Sequence, residues 1–180
     1  MRELYQVWSS SLNTEQVDQI TTMALRQPME EATVFSSAEN MQGIRSCTVH
    51  WLDDEWLQSL LWSYVEEANK SGFHVAVDRR SEMQIAEYTA EQNAHYDWHH
   101  DVHWNGQSAL DRKVSVTVQL SGADEYEGGD FEFDEVKTNA DFRSKGTVLV
   151  FPSYLRHRIH PVTSGIRRAL VAWFFGPRWT

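Results

Sequence analysis

The stretch "YDWHHDVHW", residues 96–104, sets three histidines and two aspartates among tyrosine and tryptophan within nine positions. Aromatic side chains favour extended backbone, so the segment reads as a strand. Alternate residues on a strand point the same way, which puts His99, Asp101 and His103 on one face and His100 on the other. A histidine and a carboxylate sharing a face can grip one metal ion. Whether they do depends on what the rest of the chain brings to them.

Working outward, short runs rich in Val, Ile, Thr, Phe and Tyr begin near Phe73. Candidate strands are "FHVAV" (73–77), "MQIAEYT" (83–89), residues 96–104, "KVSVTVQLS" (113–121), "GDFEF" (129–133), "GTVLVFPS" (146–153), "HRIHPV" (157–162) and "RRALVAWFFG" (167–176). Turns between them are marked by "NGQS", "YEGG", "SKG" and "TSG". Before them, Asn13 with Gln16 three residues on forms a capping pair ahead of Val17, Ile20 and Leu25. A polar stretch then runs to about Met41. In "DDEWLQSLLWSYVEEANKSG" (53–72), Trp56, Leu57, Leu60, Leu61, Tyr64, Val65 and Ala68 make a stripe at helical spacing that Asn69 and Gly72 end. Trp56 and Tyr64 are expected to pack against a sheet. Two helices followed by about eight strands predict a mainly β, α+β chain: a sandwich or jelly roll with helices on one face.

Composition narrows the function classes. The 180 residues, 41% of them hydrophobic, suffice for one buried core, and no repeat or linker divides them. A single domain over 1–180 is expected, with helical support at about 13–72 and the jelly-roll core at about 73–177. Cys47 is the only cysteine, so no intrachain disulfide forms, and the N-terminus lacks an apolar signal core. A reducing, cytoplasmic setting is the expectation. The longest apolar run, Ala169 to Phe175, is far short of the roughly 20 residues that span a bilayer, so a soluble chain with no membrane partner is expected. A formal charge of −10 argues against a nucleic-acid partner, although Arg156, Arg158, Arg167 and Arg168 gather near the C-terminus.

His99 and Asp101 fill only part of a coordination sphere, and His-x-Asp alone is a weak pattern. His157 and His160 are the candidates for a third ligand. Two histidines and one carboxylate leave three positions of an octahedron open, as iron(II) oxygenases require, whereas structural zinc is closed by four protein ligands, usually including cysteine.

Four ordered segments turn this pattern into a specific likeness: "YDWHHD" (96–101), "YEGGDFEF" (126–133), the histidine of "FPSYLRHRIHPVTSGIR" (151–167), and Arg167 ten residues beyond His157. Together they resemble the 2-oxoglutarate and iron(II)-dependent oxygenase superfamily, and within it the prolyl 4-hydroxylase-like branch, over Met83 to Gly176. The resemblance implies a double-stranded β-helix. It implies His99, Asp101 and His157 as iron(II) ligands, and Arg167 as the partner of the distal carboxylate of 2-oxoglutarate. It places Tyr88 near that co-substrate and Tyr96 and Trp173 along the co-substrate or target pocket. A guanidinium suits the Arg167 role independently, being a planar fork that stays charged when buried.

The implied reaction is oxidative decarboxylation of 2-oxoglutarate with dioxygen, coupled to hydroxylation of an unactivated carbon, with ascorbate as a candidate reductant. Phe131, Phe133 and Trp173 would wall a dry pocket. The expected target is a prolyl residue in a peptide or protein, with a free amino acid or small metabolite as the alternative. Three other readings fit less well. A nucleic-acid demethylase would carry an arginine-asparagine segment after the distal histidine, and a cupin His-x-His. A non-catalytic binding module would have lost a ligand or the arginine. The loop "YTAEQNAHY" (88–96) departs from the branch in lacking glycine. His160, His100, His103, His50, His74 and His95 are left outside the metal set, and Arg168 is expected on the opposite strand face from Arg167.

Overall fold

A computed structural model describes residues 4–32 and 41–180, with Met41 and Gln42 as backbone only. In chain order the elements are β1 (Gln6–Trp8), α1 (Thr14–Leu25), β2 (Glu30–Glu31), α2 (Met41–Ile44), β3 (Arg45–Ser46), β4 (Thr48–Leu52), α3 (Glu55–Ala68), β5 (Ser81–Thr89), β6 (His95–His99), β7 (Leu110–Gln119), β8 (Tyr126–Gly128), β9 (Phe131–Phe133), β10 (Val148–Pro152), β11 (His157–Ile159) and β12 (Val162–Pro177). The larger sheet runs β1-β10-β7-β12-β5-β4-β2, with β8 also paired to β12. The smaller sheet runs β3-β6-β11-β9, and every pairing is antiparallel.

Period-two patterning explains the layers. In β7, Val114, Val116 and Val118 face the helices, as do Met83 and Ile85 of β5 and Leu170, Ala172 and Phe174 of β12. They bury against Val17, Ile20 and Ala24 of α1 and Leu57, Leu61 and Val65 of α3. The intervening residues of the same strands face the smaller sheet. The space between the sheets is therefore lined by Gln84 and Tyr88 of β5, Thr117 of β7, and Arg167, Ala169, Val171 and Trp173 of β12.

Both helix starts follow the sequence. Asn13 accepts from the Gln16 amide while the Gln16 side chain accepts from Asn13, and Asp54 caps α3 through the Leu57 amide. Tyr64 stacks edge-on against Trp8 and hydrogen-bonds Ser11. Trp56 stands exposed rather than packed on a sheet.

Three sequence expectations need correction. "FHVAV" is not a strand: Phe73 closes a π-helical turn over Asn69–Phe73, and His74 is left-handed at φ 54°. The Asn69 carboxamide pins Val75 by bonding both its N–H and its carbonyl, and the chain stays irregular to Arg80. Secondly, the support region at 13–72 is not purely helical, since β2, β3 and β4 lie within it. "TVHWL" (48–52) pairs along β5 from Thr48↔Glu87 to Leu52↔Met83, so its β-branched and aromatic alternation was a strand signal. Residues 33–40 of the polar stretch lie outside the described residues. Thirdly, the strand that opens at His95 ends at His99, so alternation does not extend to Asp101 or His103. The chain turns there, with the Asp101 amide donating to the Ser153 carbonyl at 3.0 Å.

"TSG" makes no break either. The 16-residue β12 runs through it with a register shift between Val162 and Ser164, and Gly165, at φ +71°, passes where a Cβ would lie 2.1 Å from the Glu125 carbonyl.

Candidate active site

The metal-type residues come from the smaller sheet. His99 ends β6, and His157 sits opposite it at the start of β11 in direct register. Asp101, carried past the strand end by the turn, stands 3.7 Å from Nε2 of His99 through Oδ1 and 3.7 Å from Nε2 of His157 through Oδ2. One donor atom from each residue falls within 4.8 Å of the others, the only such group of three among the described residues. His160 is excluded from it: its Nε2 lies 2.7 Å from Oε2 of Glu132, and the side chain is part-exposed.

The donor chemistry suits a divalent metal. Nδ1 of His99 lies 2.8 Å from the Asp97 carbonyl and Nδ1 of His157 lies 2.9 Å from the Leu155 carbonyl. A carbonyl only accepts, so each Nδ1 carries a proton, and Nε2 is the ring atom that each histidine turns toward Asp101. Burial, reinforced by His157, pushes His99 down to about 3, so its imidazole is neutral at ordinary pH. Burial opposes charge on Asp101, but His157, His99, Arg112 and the Ser115 hydroxyl together hold its carboxyl below the usual range. Ser115 donates to Asp101 Oδ2 at 2.7 Å and contacts Ser153 Oγ at 2.9 Å.

Aromatic rings fix the histidines. Tyr96 stacks on His99 with centroids 3.4 Å apart, and the guanidinium of Arg45 lies over the Tyr96 ring at 4.6 Å. Phe131 stacks on His157 at 5.3 Å and Phe151 meets it edge-on at 4.8 Å. Burial pushes the Tyr96 hydroxyl up to about 12.

Opposite the metal group, the larger sheet contributes Arg167, only 4% exposed. It faces Tyr88 across the β12–β5 pairing, with the guanidinium 5.6 Å from the ring centroid. No carboxylate among the described residues pairs with it. A buried cation without an anion is expensive, so the site is built for an acidic ligand. Gly129, at φ +64°, makes room for it: a Cβ there would stand 3.0 Å from Arg167 Cδ and 2.9 Å from Val162 Cγ2. The metal group and Arg167 share one cleft that Tyr88, Tyr96, Phe131 and Trp173 also line.

This fold topology and donor set have known counterparts. The family model of the 2OG-Fe(II) oxygenase superfamily matches residues 83–175, just over half of the chain. The chain belongs to this superfamily. Among curated proteins it is similar to a PKHD-type hydroxylase of Synechococcus sp. (strain CC9311), 37% identical over 84 residues. That match covers 46% of this chain and 37% of the relative, well under half of the relative's length. Among solved structures, a Pseudomonas putida prolyl-4-hydroxylase superposes with a TM-score of 0.74 at 19% identity, covering 97% of this chain and 93% of that one. The viral collagen prolyl hydroxylase of Paramecium Bursaria Chlorella virus-1, in its 2OG complex, gives 0.71 at 18% identity with 97% coverage of both chains. At such identities the likeness is one of fold, and it is the jelly roll of the prolyl hydroxylases.

Iron(II) and 2-oxoglutarate are the metal and co-substrate that the superfamily's name carries, and the neutral imidazole of His99, the ionised Asp101 and the buried Arg167, with no carboxylate beside it among the described residues, fit them. Several residues around the cleft were not singled out in the sequence. Ser115 and Thr117 carried a signal, as polar residues alternating with Val114, Val116 and Val118. Arg45 and Ser153 carried none. Phe133 does not line the cleft as expected. It packs behind His157 with Leu149, Phe151 and Leu155. Arg156 and Arg158 form no basic groove, since Asp134 and Glu132 neutralise them at 2.7 and 2.6 Å. Arg168 turns to the other face, as expected, and donates to Glu87 at 2.6 Å. No described helix is long and apolar enough to cross a membrane.

Proposed function

We propose that this chain, taken as one oxygenase domain over residues 1–180, is a 2-oxoglutarate-dependent iron(II) dioxygenase that hydroxylates an unactivated carbon, a prolyl residue in a peptide or protein. The observation that carries this is the convergence of His99, Asp101 and His157 in a cleft whose far wall holds the buried, unpaired Arg167. His99, Asp101 and His157 hold the metal on three positions. Arg167 receives the distal carboxylate of 2-oxoglutarate beside Tyr88, and Tyr96 and Trp173 border the co-substrate and target space. When bound, iron supplies the oxygen chemistry: one oxygen atom of dioxygen goes to the target carbon and the other to succinate as 2-oxoglutarate loses carbon dioxide.

The protein's part is positioning and exclusion of water. Ser115 holds Asp101 in its rotamer, and the Tyr96 and Phe131 rings hold the two imidazoles. Phe131, Phe151, Ile159, Ala169 and Val171 give the cleft an apolar lining near the metal group. A peptidyl target is supported by the prolyl hydroxylase neighbours and by the neutralised state of Arg156 and Arg158, which leaves no basic track for a nucleic acid there.

The test needs no knowledge of the target, because uncoupled turnover releases succinate. Iron-loaded protein given 2-oxoglutarate and air is expected to form succinate, and His99→Ala and Arg167→Ala to abolish it. Absence of succinate from the wild type, with no calorimetric binding of 2-oxoglutarate, would refute the reading.

A further inference from the structure

Gln84 is 1% exposed, yet its Nε2 has no hydrogen-bond partner among the described residues. Trp173, 4% exposed, leaves its Nε1 equally unpartnered. Buried donors without acceptors are rare because each forfeits its hydration. These two are not scattered. Gln84 pairs with Val171 across β5 and β12, Trp173 stands two residues along on the same face, and both border the metal cleft and the opening outside it.

Their place along the strand says what they could meet. From Arg167 to Val171 is four residues, ~13 Å at about 3.3 Å per residue. An extended 2-oxoglutarate spans four carbon–carbon bonds, only ~5 Å between its carboxyl carbons at about 1.5 Å each. Gln84 and Trp173 thus stand toward the other end of the cleft from Arg167 and, unlike it, also border the opening beside Glu30 and Glu31, which we take as the target side.

The charge around them selects the acceptor. Both donors are neutral. Two cations border the opening: Arg112, over the Trp173 ring at 3.7 Å and paired with Glu82 at 2.7 Å, and Arg45, over the Tyr96 ring at 4.6 Å with its Nε donating to Cys47 Sγ; the three carboxylates there outnumber them. Asp101, Glu30 and Glu31 border the same opening, so an incoming carboxylate would meet like charge. A neutral carbonyl oxygen meets no such penalty. A carboxamide also offers an acceptor beside its donor, matching the paired C=O and N–H of a peptide group.

We infer that Gln84 and Trp173 form a two-donor subsite for a main-chain amide carbonyl of the target, which makes Gln84 a specificity residue for peptidyl over free-acid substrates. This rests on the oxygenase reading above for what the target is, but its test does not require turnover. Nitrogen-15-labelled protein, loaded with zinc(II) and 2-oxoglutarate so that it is inert, is titrated with acetylproline methylamide and separately with acetylproline bearing a free carboxylate. The Trp173 indole and Gln84 carboxamide resonances are assigned by Trp173→Phe and Gln84→Leu. The methylamide is expected to shift both saturably, and the free acid to bind more weakly. Gln84→Leu is expected to weaken methylamide binding about tenfold while leaving calorimetric 2-oxoglutarate affinity unchanged. The inference is overturned if neither wild-type resonance moves with the methylamide. It is equally overturned if the free acid binds as well, or if Gln84→Leu weakens 2-oxoglutarate itself. Shifts in the zinc-loaded protein, with no succinate from the iron-loaded protein given 2-oxoglutarate and air, would refute the oxygenase reading and leave the subsite standing.

Discussion

Replacing Arg167 by methionine separates a ligand-binding role from a structural one. The guanidinium is buried, lies against the Tyr88 ring and has no carboxylate partner among the described residues. If it receives the distal carboxylate of 2-oxoglutarate, two charge-assisted bonds of about 1.5–3 kcal/mol each are at stake. Their loss at the lower bound, ~3 kcal/mol, weakens the co-substrate Kd roughly a hundredfold. Thermal unfolding with and without 2-oxoglutarate, in the same divalent metal, reads this directly. At about 100 times the wild-type Kd, the ligand stabilises the wild type by about 2.7 kcal/mol, and the variant by ~0.4. At about 2–4 °C per kcal/mol for a chain of this size, Tm rises by ~5–11 °C in the wild type and ~1–2 °C in Arg167→Met. Without ligand, the variant should be at least as stable as the wild type, because a buried charge lacking an anion has been replaced by an apolar chain of similar length. An undiminished ligand-dependent rise in the variant would refute the assignment. A variant that is much less stable without ligand would show that the guanidinium serves the fold.

Three further outcomes follow from the same geometry. Ser115→Ala removes the 2.7 Å bond to Asp101 Oδ2, and chelator competition should show metal affinity weakened about 10–100-fold with the fold intact. Gly129→Ala puts a Cβ 3.0 Å from Arg167 Cδ at a left-handed position, so it should lower stability by about 1–2 kcal/mol and weaken 2-oxoglutarate binding more than metal binding, both readable by calorimetry. In metal-free protein, His99 is held near 3 when folded against 6.5 in the unfolded chain, so the unfolded state binds the extra proton between those values. Its contribution is thus fully present above pH 6.5 and lost as pH falls toward 3. Urea unfolding at pH 7 and pH 5 should show lower stability at pH 5, with the difference reduced in His99→Gln.

The metal group was legible because three kinds of signal coincided. "YDWHHD", the ten-residue spacing from His157 to Arg167 and the "YEGG" turn each constrain a different strand of the same cleft. Strand alternation alone does not join His99 to Asp101. It would also have brought in His103, but the strand stops at His99, and Asp101 is delivered by a turn held on the Ser153 carbonyl. The spacing was right, and the physical cause was a tertiary hydrogen bond that no local pattern encodes. "FHVAV" failed for a related reason. Its alternation is that of a strand, but two bonds from one upstream residue, Asn69, hold Val75 in an irregular course.

The less legible half of the site lies on the larger sheet, where polarity is the only cue. In "KVSVTVQLS", valines at 114, 116 and 118 announce the helix-facing side, and Ser115, Thr117 and Gln119 between them are too polar for a second apolar face. In "MQIAEYT", Gln84 and Tyr88 break the pattern in the same register. A strand buried on both faces should read as nearly continuous Val, Ile and Leu. Where such a strand instead carries polar residues at every second position, burial makes each of them costly unless something satisfies it. Ser115 is satisfied by Asp101, whereas Gln84 Nε2 and Trp173 Nε1 meet no partner, and Arg167 no carboxylate, among the described residues. The same sheet face therefore divides into groups that shape the metal site and groups left without a partner among the described residues, Gln119 Oε1 included. The former brace Asp101, and among the latter Arg167, Gln84 and Trp173 are the positions at which the proposed co-substrate and target would bind.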